Sequence, residues 1–434
     1  YYQDEALNVI IWKDGTHGYE DSDMVMIQGH MDIVAEKTED SAHDFENDPL
    51  ELMIDGDYIT AKDTTLGADD GIAMGLAILD STDISHPPIE LIVTVDEEIG
   101  MLGANALDGS KIRSRKIINL DSEEEGIITV GCAGAVDVTT HFPARRQLAK
   151  GIKYKYVVEG LLGGHSGSDI HLERANAGSI AARMLLEARE VVQLNILSIA
   201  GGRATNVILG KVAGEVIVAA SDAKAFEESI AATTAAVKEE YRTSDPGIRV
   251  AVEAVGETEE EAIDTACQDN FLKFVLACPA GAQHYSVELE NLVETSHSIG
   301  VVQLEGDELI TRSMARSSVN SRKDLLTRKI TIIAEALGAT VEFSGAYGAW
   351  EFDNKSDLLD VCIKAYEEQY GEKPVVSAIH AGVECGKWAE KVGKIDAVSI
   401  GPDMSGVHSV LEKLSISSTE RTWEYVKLVL AHCK

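Results

Sequence analysis

Aromatic residues are scarce in this sequence, at 5% of its 434 positions, so Leu, Ile, Val and Ala must fill any core. Basic residues are few as well: 38 Lys plus Arg against 73 Asp plus Glu give a net charge of −35. A surface of that sign repels phosphate backbones and anionic headgroups, which argues against nucleic acid and membrane partners. Solubility accounts for most of the excess, and carboxylates offset by bound cations would account for the rest. No apolar run reaches the roughly 18 residues that a membrane span needs. Nothing at the start of the sequence reads as a signal peptide. The six cysteines, Cys132, Cys267, Cys278, Cys362, Cys385 and Cys433, form no CxxC pair. Several sit in apolar stretches such as FVLAC and DVCIKAY. That suits reduced core thiols of a cytoplasmic protein rather than a disulfide framework.

What is present is 45% apolar and 26% charged, an ordinary globular composition. The length exceeds one ordinary core, so two domains are expected. In the first third, MVMIQGH (24–30), IELIVTVDEE (89–98) and KIINLDSEEE (116–125) are each apolar on successive residues and then turn acidic or polar. DAVSIGPD (396–403) repeats the pattern near the end. Such runs suit strands buried on both faces of a parallel or mixed sheet. DDGIAMGLAILDS (69–81) reads as a helix between two of them. The fold class expected is therefore α/β: an open mixed, mostly parallel sheet with helices on both faces. The middle of the chain alternates apolar and polar residues at 153–161, 207–220, 248–256 and 300–313, with amphipathic helices near 171–192, 222–242 and 321–337. That predicts an inserted α+β domain over 149–345, interrupting a first domain of 1–148 and 346–434. Further helices are expected at 354–373, opened by Ser356 or Asp357, and at 418–432.

Ligands of open α/β sheets gather at the carboxyl ends of the strands, where the acidic and His clusters of this sequence fall. GHMD (29–32) puts Asp32 on the same side of an extended chain as His30, able to orient a ligating imidazole. TTLGADDGIAMG (64–75) holds Asp69 and Asp70 at a helix start, where one Asp would serve as an N-cap and two are harder to explain. A carboxylate there could bridge two metals. TVDEEIGMLGA (94–104) ends a strand with three acids, whose mutual repulsion in a cleft calls for cations. One of them could ligate while its neighbour takes a proton, and spacing does not tell Glu97 from Glu98. NLDSEEEG (119–126) offers Asp121, with Glu123 to Glu125 read as a solvated turn. GPDMSGVHSVLEK (401–413) offers His408 in a Gly-rich loop. Each signal alone has an ordinary alternative: a surface His, a helix cap, solvated acids. Together they give imidazole and carboxylate donors after separate buried strands, a set that suits zinc, or cobalt or manganese.

These segments, with GLLGGHSGSDIH (160–171) and AIHAGVECG (378–386), resemble the aminoacyl-histidine dipeptidases, a carnosinase-like group of the dinuclear zinc aminoacylase and carboxypeptidase G superfamily. The likeness runs over essentially the whole chain, with the motifs in family order and at family spacing. It implies two Zn2+ ions, with Asp69 bridging them through a cis peptide to Asp70. His30 and Asp121 would complete one metal, Glu98 and His408 the other. Asp32 would orient His30, and Glu97 would be the general base toward a water shared by the metals. The inserted domain would be a lid whose His165 holds the substrate carbonyl oxygen. Relatives use that His within one subunit or across a dimer, so a homodimer through the lid stays open. Asn206 in RATNVI would be a second polar contact. His380 and Glu384 are four apart on an expected helix, and Glu384 is the candidate for the substrate amino group. No Arg is assigned to the substrate carboxylate. The resemblance also implies a helix and strand before NVIIW (8–12), of which only the tail is present, so residues before Tyr1 are expected in the natural chain.

The expected reaction is hydrolysis of dipeptides such as Xaa-His. An N-acyl amino acid deacylase or a tripeptide aminopeptidase would use the same ligands. A non-catalytic metal-binding relative should have lost the base or a ligand, and none is lost. Phosphate binding by GLLGGHSG lacks the Lys of a P-loop.

Overall fold

A computed structural model describes residues 1–434, which divide into two compact units: Tyr1–Cys132 with Gly348–Lys434, and Ala133–Tyr347. The expected boundary at residue 148 falls inside a strand of the second unit. Residues 133–148 belong there because the strand they begin pairs along its whole length with another strand of that unit, from Pro143 opposite Glu308 to Gly134 opposite Ser317.

The first unit opens with β1 (Tyr2–Gln3), β2 (Val9–Lys13), β3 (Val25–His30), β4 (Leu52–Asp55) and β5 (Tyr58–Ala61). Then come α1 (Ile72–Asp80), β6 (Ile89–Thr94), α2 (Leu102–Ala106), β7 (Lys116–Asn119) and β8 (Ile127–Cys132). The second unit supplies β9 (Gly134–Pro143), β10 (Arg146–Glu159), β11 (Gly164–His165), α3 (Ala177–Val191), β12 (Leu194–Gly201), β13 (Val207–Ile208) and β14 (Val212–Val218). It continues through α4 (Ala223–Glu240), β15 (Arg249–Ile263), α5 (Thr265–Ala277), β16 (Gly281–Tyr285), β17 (Val293–Glu305), β18 (Glu308–Ser317), α6 (Asn320–Ala336) and β19 (Thr340–Tyr347). The chain ends with α7 (Asp357–Tyr370), β20 (Val375–Ile379), α8 (Cys385–Val392), β21 (Asp396–Ser399), β22 (Met404–Ser405), β23 (Lys413–Ser415) and α9 (Ile416–His432).

In the first unit an eight-stranded sheet runs β1-β2-β6-β3-β7-β21-β8-β20. Its centre is parallel: β3 pairs in parallel with β6 and β7, and β7 with β21. Every residue of β3 and β6 is buried, which is why both read as mostly apolar runs. Ile27 and Gln28 point to opposite faces. A Cβ on Gly75 of α1 would meet the Ile27 side chain, whereas Glu384, at the start of α8, bonds Gln28. Helices therefore cover both faces. A smaller antiparallel sheet, β22-β23-β5-β4, lies in the same unit. It packs Ala61, Leu66, Ala68 and Met404 into a core of its own, with Ile59, Val407 and Leu414 against it.

The second unit holds a sheet ordered β15-β10-β14-β12-β17-β18-β9-β19, with β16 added beside β17, and every pairing in it is antiparallel. Tyr154, Tyr156 and Val158 share one face of β10 and join residues of α3 to α6 in one apolar cluster. The other side of β10 stays polar, which produced the alternating pattern. The stretch 300–313, expected as one strand, is a hairpin: β17 turns back into β18 at Gly306, whose φ is +58°.

Candidate metal centre

The parallel strands deliver their side chains to one edge. His30 is the last residue of β3, and Glu97, Glu98 and Asp121 follow the ends of β6 and β7. Asp69 precedes α1, joined to Asp70 by a cis peptide bond. His408 sits in the loop between β22 and β23 with φ +62°. The five residues expected as ligands converge. His30 Nε2 lies 3.2 Å from Asp69 Oδ1 and 3.5 Å from Asp121 Oδ1. His408 Nε2 lies 3.3 Å from Asp69 Oδ2 and 3.0 Å from Glu98 Oε2. Asp69 thus turns one oxygen to each imidazole, as a carboxylate shared by two ions must. Ligand atoms of His30, Asp69 and Glu98, and of His30, Asp70 and Asp121, lie within 4.8 Å of one another.

The electrostatics match that geometry. Burial disfavours the His30 imidazolium, but hydrogen bonds to Asp121 and Asp69 outweigh it and raise the ring's pKa far above 6.5. Hydrogen bonds to Asp69 and Glu98 lift His408 to about 10. Burial pushes Asp121 well up and Asp70 to about 7. Burial also raises Glu97 to about 7, with Glu98, Asp69 and Asp32 adding repulsion. Protons here do what divalent cations would do, which is to offset crowded carboxylate charge. Two imidazoles and three carboxylates around a shared oxygen pair fit a dinuclear site.

Several expectations change in detail. His30 Nδ1 donates to the Asp32 carbonyl oxygen at 2.9 Å, while the Asp32 carboxylate stands off at 3.7 Å. The strand ends at His30, so the same-side rule for alternate residues lapses beyond it. Asp32 Oδ2 instead accepts the Glu98 N–H at 3.2 Å, tying together the loops that follow β3 and β6. Asp70 was not singled out as more than a neighbour of Asp69. Its buried carboxylate accepts from His30 N at 2.8 Å and Ile72 N at 2.9 Å, bracing the end of β3 and opening α1.

His380 and Glu384 do not share a helix face. Both precede α8, which begins at Cys385, because His380–Glu384 forms the turn out of β20. Glu384 has no exposed surface, and burial raises its pKa to about 8. Its Oε2 accepts from Thr94 Oγ1 at 2.7 Å and from Gln28 Nε2. Its Oε1 has no partner, and the whole carboxylate is buried. Nor are Glu123 to Glu125 all solvated, since Glu125 accepts from Arg421 Nε at 2.7 Å and Tyr370 Oη at 2.6 Å.

In the second unit, His165 ends β11 and lies opposite Val207 of β13. Its Nδ1 accepts from Ser168 N at 3.1 Å and Gly167 N at 3.3 Å, which leaves the proton of the neutral ring on Nε2. Burial and then Arg316 lower its pKa, keeping the ring neutral. Arg316 Nη2 lies 3.3 Å from that Nε2, and its Nη1 donates to Tyr347 Oη at 3.3 Å. Arg316 is 4% exposed, no carboxylate pairs with it, and its Nε has no partner. Nothing in the ARSS context marked it beforehand, and only the paired strands bring it beside His165. Asn206 is exposed next to the same turn, its carbonyl accepting from Ser166 N at 2.9 Å.

Comparison with known proteins decides the affiliation. Residues 26–432 match peptidase family M20/M25/M40. The chain belongs to this family. This M20 chain is 33% identical over 425 residues to the cytosol non-specific dipeptidase of Escherichia coli strain K12, covering 97% of itself and 87% of that relative. It superposes on the crystal structure of aminoacylhistidine dipeptidase from Vibrio alginolyticus with a TM-score of 0.91 and 37% identity, over 99% of this chain and 88% of the other. Aminopeptidase PepT from Bacillus cereus, at a TM-score of 0.53 and 19% identity, shares the M20 fold. No helix of the chain is long and apolar enough to cross a membrane.

Proposed function

We propose that this peptidase hydrolyses dipeptides, Xaa-His among them, at a dinuclear zinc centre. The observation that carries the reading is Asp69, whose two oxygens face His30 and His408 separately at 3.2 and 3.3 Å. His30 and Asp121 would hold one ion, Glu98 and His408 the other, with Asp69 between; cobalt or manganese would suit the same donors. When bound, such ions polarise the attacking water and the scissile carbonyl. The remaining work falls to the chain. Glu97, raised to about 7, is poised to take a proton from the water and return it to the leaving amine. Asp32 and Asp70 hold His30 and the Glu98 backbone in place.

In the second unit, the His165 Nε2–H is a donor for the carbonyl oxygen as negative charge develops on it. Arg316 supplies the cation for the substrate's C-terminal carboxylate, because a buried guanidinium without an internal counter-ion calls for an external anion. Asn206 is a further polar contact. A homodimer through this unit and a cytoplasmic location complete the reading, the latter in keeping with the relative named as a cytosol dipeptidase.

A panel of dipeptides, N-acyl amino acids and tripeptides, run with zinc, cobalt and manganese, tests the function. Turnover of dipeptides above the others is expected. Turnover confined to N-acyl amino acids or to tripeptides would replace it with the deacylase or tripeptide aminopeptidase reading.

A further inference from the structure

Glu412 is 4% exposed, and no Lys, Arg or His lies within ion-pair distance of it. A buried carboxylate without a cation is costly unless hydrogen bonds solvate it. Here four successive backbone N–H groups do so. Oε2 accepts from Leu66 at 2.7 Å and Gly67 at 3.0 Å. Oε1 accepts from Ala68 at 2.8 Å and, more weakly, from Asp69 at 3.5 Å. Successive amides reach one acceptor because Gly67 adopts φ +73°, where a Cβ would also strike Ile33 at 2.6 Å.

The other end of this side chain is anchored as firmly. Residues 406–412 form the loop of the β22–β23 hairpin, closed by Ser409 N to Gly406 O and Glu412 N to Ser409 O, each 3.1 Å. His408 stands in that loop. β23 pairs with β5, whose continuation leads to Leu66–Asp69. Leu66, Ala68 and Met404 are buried together, with Val407 against them. The loop of Asp69 and the loop of His408 are thus joined twice: by the strand pair where they begin, and by Glu412 where they reach the site.

We propose that Glu412 is a positioning residue of the metal centre, locking the Asp69 loop to the His408 loop. It fixes the Asp69–His408 separation independently of the large sheet, which carries His30, Glu98 and Asp121. A ligand set held in place before an ion arrives binds it more tightly, and loss of such a support costs about 10–100-fold in affinity. The inference rests on the dinuclear reading of the site.

The test titrates Co2+ into the metal-free full-length protein, followed by visible absorption and equilibrium dialysis. Wild type should take up two equivalents; fewer would overturn the dinuclear reading whatever Glu412 does. Glu412→Gln keeps the shape but swaps an acceptor oxygen for an amide that meets backbone N–H groups. One of the two equivalents should weaken by about tenfold or more, with an altered spectrum, and high Co2+ should restore dipeptide turnover. Glu90→Gln is the control. Glu90 is equally buried and accepts from Arg113 N at 3.0 Å and Ser114 N at 2.9 Å, at the far end of β6 from the site. It should lower the melting temperature and leave Co2+ binding alone. If E412Q behaves like E90Q, with both affinities and the spectrum unchanged, the positioning role is wrong. Should E412Q not fold, Glu412→Asp retains the charge one methylene short and should show the same weakened equivalent; unchanged Co2+ binding there overturns the proposal equally.

Discussion

Glu97 and Glu98 are neighbours in the chain, and what each carboxylate touches separates them. Glu98 Oε2 lies 3.0 Å from His408 Nε2, whereas Glu97 forms no ion pair and has its pKa pushed to about 7 by burial and by surrounding acids. Spacing alone could not tell the two apart, since both follow the same strand end. Glu97→Gln should lower kcat by about 10²–10⁴-fold while metal content stays at two per chain. Loss of metal, read by elemental analysis, would make Glu97 a ligand instead. Arg316 was invisible in the sequence for a different reason: its meaning comes from having no carboxylate near it, which only the packed strands reveal. Arg316→Met should raise KM for dipeptides with little change in kcat. It should also erase the preference for a free C-terminal carboxylate over the amidated dipeptide. An undiminished preference would remove Arg316 from the substrate.

At the scale of elements, the motif strands were readable because burial on both faces leaves a mostly apolar run, as in β3 and β6. The glycines around them are packing devices. A Cβ on Gly29 would come within 2.5 Å of Asp70 Oδ2, the atom that accepts the His30 N–H. Gly29→Ala should cost about 1–3 kcal/mol and lower metal affinity by displacing that brace. Thermal melting with and without added metal would separate the two effects, and unchanged metal affinity would mean that Asp70 does not hold His30. Helix α7 was legible from its cap: Ser356 Oγ accepts from Leu359 N at 2.8 Å and also donates to Asp396 at the start of β21. Ser356→Ala should therefore destabilise the first unit by about 1–2 kcal/mol, seen as a lower urea midpoint. Helix α8 escaped the reading because it is short, and because the spacing of His380 and Glu384 mimicked a helical pair across what is a turn. The small sheet of β4, β5, β22 and β23 escaped because its strands, of two to four residues, are too brief to show a period.

For the whole molecule, acid should weaken the fold even apart from the metal centre. His297 on β17 is fully buried, and desolvation lowers its pKa to about 4, despite a hydrogen bond to Pro279 O that favours the charged ring. The unfolded chain would protonate it near 6.5, so its contribution is complete above that pH and is lost as pH falls toward 4. The loss amounts to about 3 kcal/mol over that window. His297→Gln should flatten the acid limb of a stability–pH curve between 6.5 and 4, and an unchanged limb would place the sensitivity elsewhere. The sequence by itself determined the fold class, four strands of the large sheet (β3, β6, β7 and β21) and the acidic and His clusters whose side chains meet. Local periodicity and residue chemistry encode those directly, and the family resemblance put them in order. Tertiary structure alone decided that Glu384 is enclosed, that Asp32 serves His30 through its backbone, and that Arg316 and Glu412 are a guanidinium and a carboxylate without internal counter-ions. Each of those facts depends on which distant backbone or side-chain atoms come within about 3 Å, the range over which hydrogen bonds act, and no periodicity along a chain records that.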